Sequence, residues 1–290
     1  MGLPRWRLLV IPPFQRVGSG TQPSSQPLNL RCWACAAGGD GNGTDQRPAA
    51  TRFSPMASRS VPVMSVVHPL RLRYSDAYLV VGKRPILVDT GSRGDAARIV
   101  AGCAAVGVTI RDLALIVHTH VHSDHFGNTV ELATEAACPV AYHPGDRSLA
   151  VQGNNGPLRG VGLWGRILAR LFAHLPFLSR AVDLDAADGM RLDDFGIAGS
   201  VLHTPGHTPG SISVILDSGD AVIGDVIMGG YAGGVIRPTK PNFHYFADDL
   251  AAAMTSVDRV LAVTSGRLFV GHGGPLQHHA VRHWREQCLA

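Results

Sequence analysis

Leu113-Ala114-Leu115-Ile116-Val117-His118-Thr119-His120-Val121-His122-Ser123-Asp124-His125-Phe126-Gly127-Asn128 is the stretch that decides the reading of this chain. Leu113–His118 is an apolar run that reads as a buried strand. Where it ends, His120 and His122 stand two residues apart, and extended chain puts such side chains on one face, so two imidazoles can share an ion. The Gly127-Asn128 turn then curls the chain, so that Asp124 and His125 can face a second ion beside the first. Four metal-type ligands spaced H-x-H-x-D-H carry a low risk of chance occurrence.

Strands and helices alternate around that stretch. Tyr78–Val81 and Pro85–Val88 read as strands joined through Gly82-Lys83-Arg84, Asp95–Val106 as a helix and Asn128–Ala136 as another. Ser211–Leu216, Ala221–Gly224 and Arg267–Val270 read as strands, and Ala247–Leu261 as a helix with Asp248 and Asp249 in its first turn. This is an α/β layered body with its chemistry on strand-end loops. Four more segments set an Asp or His at a strand end or beside Gly. They are Leu87-Val88-Asp89-Thr90-Gly91, His203-Thr204-Pro205-Gly206-His207-Thr208-Pro209-Gly210, Gly224-Asp225 and Gly271-His272-Gly273-Gly274.

With these five segments in order over residues 64–290, the sequence resembles the metallo-β-lactamase superfamily. The resemblance implies an α/β fold, a four-layer αββα sandwich, with a two-metal site along one edge. Carried over by motif position, His120, His122 and His207 hold one ion, Asp124, His125 and His272 the other, and Asp225 bridges the pair. Asp89 resembles the family's carboxylate that orients a ligand imidazole, a role that suits the way a ligating His donates its other N–H. The N and O ligands suit two divalent ions, Zn²⁺ first, and also admit Mn²⁺ or Fe. The implied chemistry is a metal-bridging hydroxide attacking a carbonyl, with Asp124 as the catalytic carboxylate that passes a proton to the leaving group.

Departures within the superfamily narrow the substrate. The β-lactamases proper commonly carry Cys or Ser where Asp225 stands. Glyoxalase II enzymes carry a helical domain after the last metal His, whereas 18 residues follow His272. Quorum-signal lactonases resemble the chain in size and in the His203–Gly210 segment. The expected enzyme is a glyoxalase II-like or lactonase-like hydrolase of a thioester, lactone or related ester. The alternative is a mononuclear iron persulfide dioxygenase, which shares H-x-H-x-D-H; one iron and oxygen consumption, in place of two zinc-like ions, would identify it.

Composition excludes other classes. Of 290 residues 45% are hydrophobic and 17% charged, ample for a core, and the apolar runs fall short of the roughly 20 residues a membrane span needs. The net charge of +4 is a property of residues 1–63, which carry +5, while the rest carries −1, so no nucleic-acid groove is expected. Residues 1–63 also hold eight of the 19 Pro and no apolar period; they read as a disordered or leader segment. Pro12-Pro13 stops the apolar Leu8–Ile11 too early for a secretory signal. The expected location is cytoplasmic, with organelle import through residues 1–63 left open, and a chain starting at Met64 is expected to fold and turn over. Cys32 and Cys35 form a lone C-x-x-C, while Cys103, Cys138 and Cys288 read as small buried hydrophobes.

Two segments point to the substrate. The loop after Asp225 is expected to contact it through Gly229–Gly234 and Asn242–Phe246, with Tyr231 and His244 as the informative residues; the alternative role for Phe243 and Phe246 is seating the next helix. From His125 to His207 is 82 residues, room for a helical insertion at about 144–184. Within it Val161–Leu175 reads as a helix with Leu163, Trp164, Ile167, Leu168, Leu171, Phe172 and Leu175 on a broad apolar face and Arg166, Arg170 and His174 opposite. A lid over a small-molecule substrate with an apolar acyl chain, a homodimer interface and a helix resting on an anionic membrane are the three readings.

Overall fold

Strict side-chain alternation builds the layers. A computed structural model describes residues 64–289; the readings made for residues 1–63, including Cys32 and Cys35, lie outside the described residues. The first sheet runs in the order β1 (Val66–Arg71), β2 (Asp76–Val81), β3 (Pro85–Val88), β4 (Ile116–Val117), β5 (Val140–Tyr142) and β6 (Leu184–Asp185). Its first three strands are antiparallel and β3 to β6 are parallel, with α1 (Ala96–Ala104) and α2 (Thr129–Ala136) on the crossovers. The insertion supplies α3 (Arg147–Gln152) and α4 (Gly162–Phe172). The second sheet comprises β7 (Gly199–His203), β8 (Ile212–Leu216), β9 (Ala221–Gly224), β12 (Arg267–Val270) and β13 (Leu276–Gln277), in the order β13-β12-β9-β8-β7. A separate ribbon pairs β10 (Met228–Tyr231) with β11 (Ile236–Asn242), and α5 (Leu250–Val263) and α6 (His278–Gln287) complete the chain.

Neighbouring residues on a strand serve different cores. Leu79, Leu87 and Ile116 pack outward on Ile99, Cys103 and Leu132 of the first helical layer. Val80, Val88 and Val117 point inward and meet Val201, Val214, Val222 and Phe269 of the second sheet. Ile223, Leu268 and Val270 pack on Val257, Val260 and Val281 of the second helical layer. The fold is therefore the four-layer αββα sandwich. Among the described residues no helix is long and apolar enough to cross a membrane.

Local differences from the sequence reading have local causes. Leu113–Leu115 are buried, but only Ile116 and Val117 pair with neighbours on both sides, so the strand is two residues long. Helix α5 starts at Leu250 because Asp249 is its N-cap, accepting the Ala252 N–H at 2.9 Å. Helix α4 stops at Phe172, since Ala173 turns extended and His174 is left-handed at φ 57°, which takes His174 off the row of Arg166 and Arg170. Cys103 and Cys138 are buried, and burial pushes the Cys103 thiol up to about 11; Cys288 is exposed, following the last residue of α6.

The parallel pairs β3–β4 and β9–β12 aim their C-terminal ends at one edge of the sandwich, where strand-end loops collect. Three bonds join the sheets there: Asp76 N–H to the Gly271 carbonyl, Ile212 N–H to the Thr119 carbonyl, and Tyr78 Oη–H to the Val270 carbonyl.

Candidate metal centre

The residue after β3 is Asp89, held in the left-handed region at φ 64°, a strained position for a non-glycine residue. Its carboxylate accepts the Thr119 N–H at 2.8 Å, the Thr119 hydroxyl at 2.7 Å and His125 Nδ1–H at 2.9 Å. With its own proton given to Asp89, the Thr119 hydroxyl oxygen accepts from His120 Nδ1 at 3.1 Å. His207 Nδ1–H donates to the Phe246 carbonyl at 2.9 Å and His272 Nδ1–H to the Tyr74 carbonyl at 2.8 Å. Four imidazoles thus point Nδ1 outward and turn Nε2 inward. His122 meets them with Nδ1, 3.0 Å from His207 Nε2.

All seven residues singled out in the sequence converge. One ligand atom each from His120, His122 and His207 lies within 4.8 Å of the others, and the same holds for Asp124, His125 and His272. Asp225 stands between the groups: its Oδ2 is 3.8 Å from His120 Nε2, 3.7 Å from His207 Nε2, 3.4 Å from His125 Nε2 and 3.3 Å from His272 Nε2. Buried His120 Nε2, His125 Nε2 and Asp225 Oδ1 have no hydrogen-bond partner among the described residues. Buried polar atoms that face each other unpaired are costly unless a cation joins them, so this donor set fits divalent metal. Gly271 makes room for it, since a Cβ there would meet Asp225 Oδ1 at 2.1 Å and His125 Cε1 at 2.6 Å.

Charge divides the cluster into unlike halves. Burial pushes His120 and His122 well below the usual imidazole range, and the surrounding imidazoles add to it, so both stay neutral with lone pairs free. Burial lowers His125 and His272 too, but Asp225 and Asp124 outweigh it; His272 is pushed up to about 10 and His125 well above its ordinary value. Asp225 is held well below the carboxylate range, because His272, His244 and His125 outweigh its burial. A cation held there would take the place of the protons on His125 and His272.

Two contributors belong to no motif in the sequence. Buried Asp146, in the insertion, accepts the Val121 N–H at 2.9 Å, the Thr208 hydroxyl at 2.8 Å and the Gly210 N–H at 2.8 Å. It ties the H-x-H turn to the His207 turn, and no spacing in the sequence marks a residue whose partners lie 25 and 64 positions away. His244, expected at the substrate, is buried with Nε2 3.2 Å from Asp225 Oδ2. Its Nδ1 sits against the Phe246 backbone, 3.1 Å from the N–H and 3.2 Å from the carbonyl, which turns Nε2 toward the carboxylate. His244→Ala is expected to weaken metal binding and turnover about 10- to 100-fold, the range for an outer partner of a ligand, and His244→Gln to recover part of it. Unchanged metal titration and kinetics in His244→Ala would leave that contact without consequence.

A cavity of about 590 Å³ opens over the cluster, with His122, Asp124, Asp225 and His272 in its floor and Leu168, Phe172, Leu175 and Phe246 in its walls. Asn155 couples wall to floor, accepting the Ser123 N–H at 2.6 Å and donating to the Phe172 carbonyl at 3.0 Å. Of the two loop segments expected at the substrate, Ala232, Gly233 and His244–Phe246 line the cavity. Tyr231 does not; it lies outside under Lys240 Nζ at 5.8 Å, and Phe243 packs on Trp284.

An αββα sandwich with a buried His/Asp cluster at its loop edge is the architecture of a metal-dependent enzyme. Residues 70–272 match the model of the metallo-beta-lactamase superfamily, and the chain belongs to that superfamily. It is 28% identical over 203 residues to a probable metallo-hydrolase of Methanocaldococcus jannaschii, covering 69% of this chain and 87% of that one. It is 31% identical over 148 residues to a hydroxyacylglutathione hydrolase of Rhodopseudomonas palustris, covering 51% of this chain and 46% of that protein. The chain spans about half the length of several curated relatives that it matches. The Rm3 metallo-beta-lactamase superposes with a TM-score of 0.58 at 18% identity, over 79% of this chain and 91% of that one, a likeness of fold.

Proposed function

We propose that this hydrolase cleaves thioesters, lactones or related esters bearing an apolar acyl chain, with two divalent ions, Zn²⁺ first, held by His120, His122 and His207 and by Asp124, His125 and His272, and with Asp225 between them. The observation that carries the reading is the cavity: a polar floor of His122, Asp124, Asp225 and His272 beneath apolar walls. The similarity to a hydroxyacylglutathione hydrolase over half the chain supports an acyl substrate.

The ions, when bound, supply Lewis acidity and a water acidic enough to act as nucleophile near neutral pH. The chain's own residues do the rest. Asp89 holds His125, and the Phe246 and Tyr74 carbonyls hold His207 and His272, so the donor atoms are set before substrate arrives. Water adds to the acyl carbon and the C–S or C–O bond breaks, releasing a carboxylate and a thiol or alcohol. The leaving group needs a proton. Asp124 is the carboxylate of the cluster that solvent reaches, with a side chain 30% exposed, and it is the group assigned to carry that proton. The apolar walls exclude water from the acyl chain.

The test is a hydrolysis screen of thioesters, lactones, β-lactams and phosphodiesters with metal content measured on the same sample. Two zinc-like ions per chain with thioester or lactone turnover is the expected result. One iron with oxygen consumption, or turnover confined to β-lactams or phosphodiesters, overturns the reading. Phe172→Ala is expected to raise KM for a long acyl chain about tenfold while sparing an acetyl substrate and the metal content; equal effects on both would remove Phe172 from the acyl wall.

A further inference from the structure

Helix α4 divides its apolar arc between two environments. At about 100° per residue Leu168 and Phe172 lie side by side, and they line the cavity. Gly165 and Ala169, the next step round, are buried, with Gly165 so close to the Tyr245 carbonyl that a Cβ would sit 2.3 Å from it. On the other side of the arc Leu163, Trp164 and Leu171 are 65–72% exposed. One apolar stripe therefore runs from the cavity out to solvent.

The β10–β11 hairpin, on another part of the cavity rim, repeats the combination. Ala232 and Gly233 line the cavity, while Val235 and Ile236 beside them are 80% and 54% exposed. The hairpin and α4 are tied through one residue: Tyr245 Oη accepts the Ala232 N–H at 3.0 Å, and the Tyr245 carbonyl accepts the Val161 N–H at 2.8 Å. Large apolar side chains left in water around a pocket mouth mark an interaction surface.

Charge identifies what covers it. Residues 148–179 contain Arg159, Arg166 and Arg170 and no Asp or Glu; residues 226–247 contain Arg237 and Lys240 and no Asp or Glu. These stretches carry +5, whereas the rest of residues 64–290 carries −6. Arg166, Arg170, Arg237 and Lys240 are exposed, and none has a carboxylate partner among the described residues. Apolar side chains interleaved with unpaired cations match the boundary of an anionic bilayer, where the former enter the acyl region and the latter meet lipid phosphates and carboxylates. A second copy of the chain fits less well, because a two-fold contact would press +5 against +5.

We propose that α4 and the β10–β11 hairpin form a docking face that rests the cavity mouth on an anionic membrane surface. The face holds the enzyme where acyl compounds are concentrated and offers them a continuous apolar path into the cavity. Surface binding does not depend on the nature of the substrate, so its test is separate from that of the hydrolase reading.

The full chain, loaded with metal, is sedimented with phosphatidylcholine vesicles made with and without one-third phosphatidylserine. Binding to the anionic vesicles is expected, weaker by about tenfold without phosphatidylserine or in high salt. Trp164→Asp combined with Leu171→Asp is expected to lower it about tenfold or more, and Arg166→Gln combined with Arg170→Gln by a similar factor. Turnover of a short, water-soluble ester and metal content in these variants should match the parent, which shows that the fold is intact. Residues 1–63 hold seven Arg, a second route to an anionic surface, so the variants decide the source. Undetectable vesicle binding overturns the proposal, as does binding that survives both double substitutions. A change from dimer to monomer in the Asp variants with vesicle binding unaltered overturns it in favour of a second copy.

Discussion

If the proposed two-ion site is right, Asp225→Ala is expected to bind neither ion tightly and to lose roughly a thousandfold in turnover, about 4 kcal/mol of transition-state stabilisation. The geometry explains why one residue matters that much. Its Oδ2 lies 3.3–3.8 Å from Nε2 of His120, His125, His207 and His272, so among the described residues it is the carboxylate within reach of both ligand groups. Deleting it removes a negative charge from a buried nest of imidazoles, where cations are then opposed by the dry surroundings. The core packs elsewhere, in three apolar clusters, so the folded state should survive. Asp225→Asn separates charge from shape: it keeps the volume and should still fail to hold two ions. Metal titration and circular dichroism on the same samples check this. A variant with two tightly held ions and full turnover would take Asp225 out of the site.

Asp146→Ala is the second large effect, expected in stability as well as activity. Three buried donors, the Val121 N–H, the Thr208 hydroxyl and the Gly210 N–H, lose their acceptor together. Removing a buried charged acceptor of this kind costs about 3–5 kcal/mol. In a folded body of this size that corresponds to a fall of roughly 6–20 °C in melting temperature. The same bonds set His120 and His122 against His207, so metal affinity should fall with stability, even though Asp146 touches no ligand atom directly. Thermal melts with and without added Zn²⁺ separate the two losses. A variant that melts like the parent would show that the two turns hold their positions without it.

The layered α/β body was legible because its strands announce themselves twice, whereas the four-layer order came only with the family resemblance. Leu79–Val80, Leu87–Val88 and Ile116–Val117 are continuous apolar pairs, and a strand covered on both faces needs apolar residues at both parities. Short pieces were lost where the signal is short. β5 is three residues long and β13 two, too brief for any period to show, and β11, with five exposed residues in succession, has no apolar alternation to detect.

The sequence by itself named the seven residues that the structure gathers: His120, His122, Asp124 and His125 by backbone spacing, and His207, Asp225 and His272 by their family motifs. Ligand spacing is a local property, and i, i+2 geometry is the same in any fold. Tertiary structure decided what stands behind those atoms. His244 reaches Asp225 only because the segment after β11 folds back over the cluster, and Asp146 serves two turns brought together by two different sheets. The division of α4 was decided there too. Its sequence specifies one wide apolar arc, and an arc does not state which part a neighbour will cover. Packing of Gly165 and Ala169 on the body rotated the helix so that Phe172 faces the cavity and Trp164 faces outward.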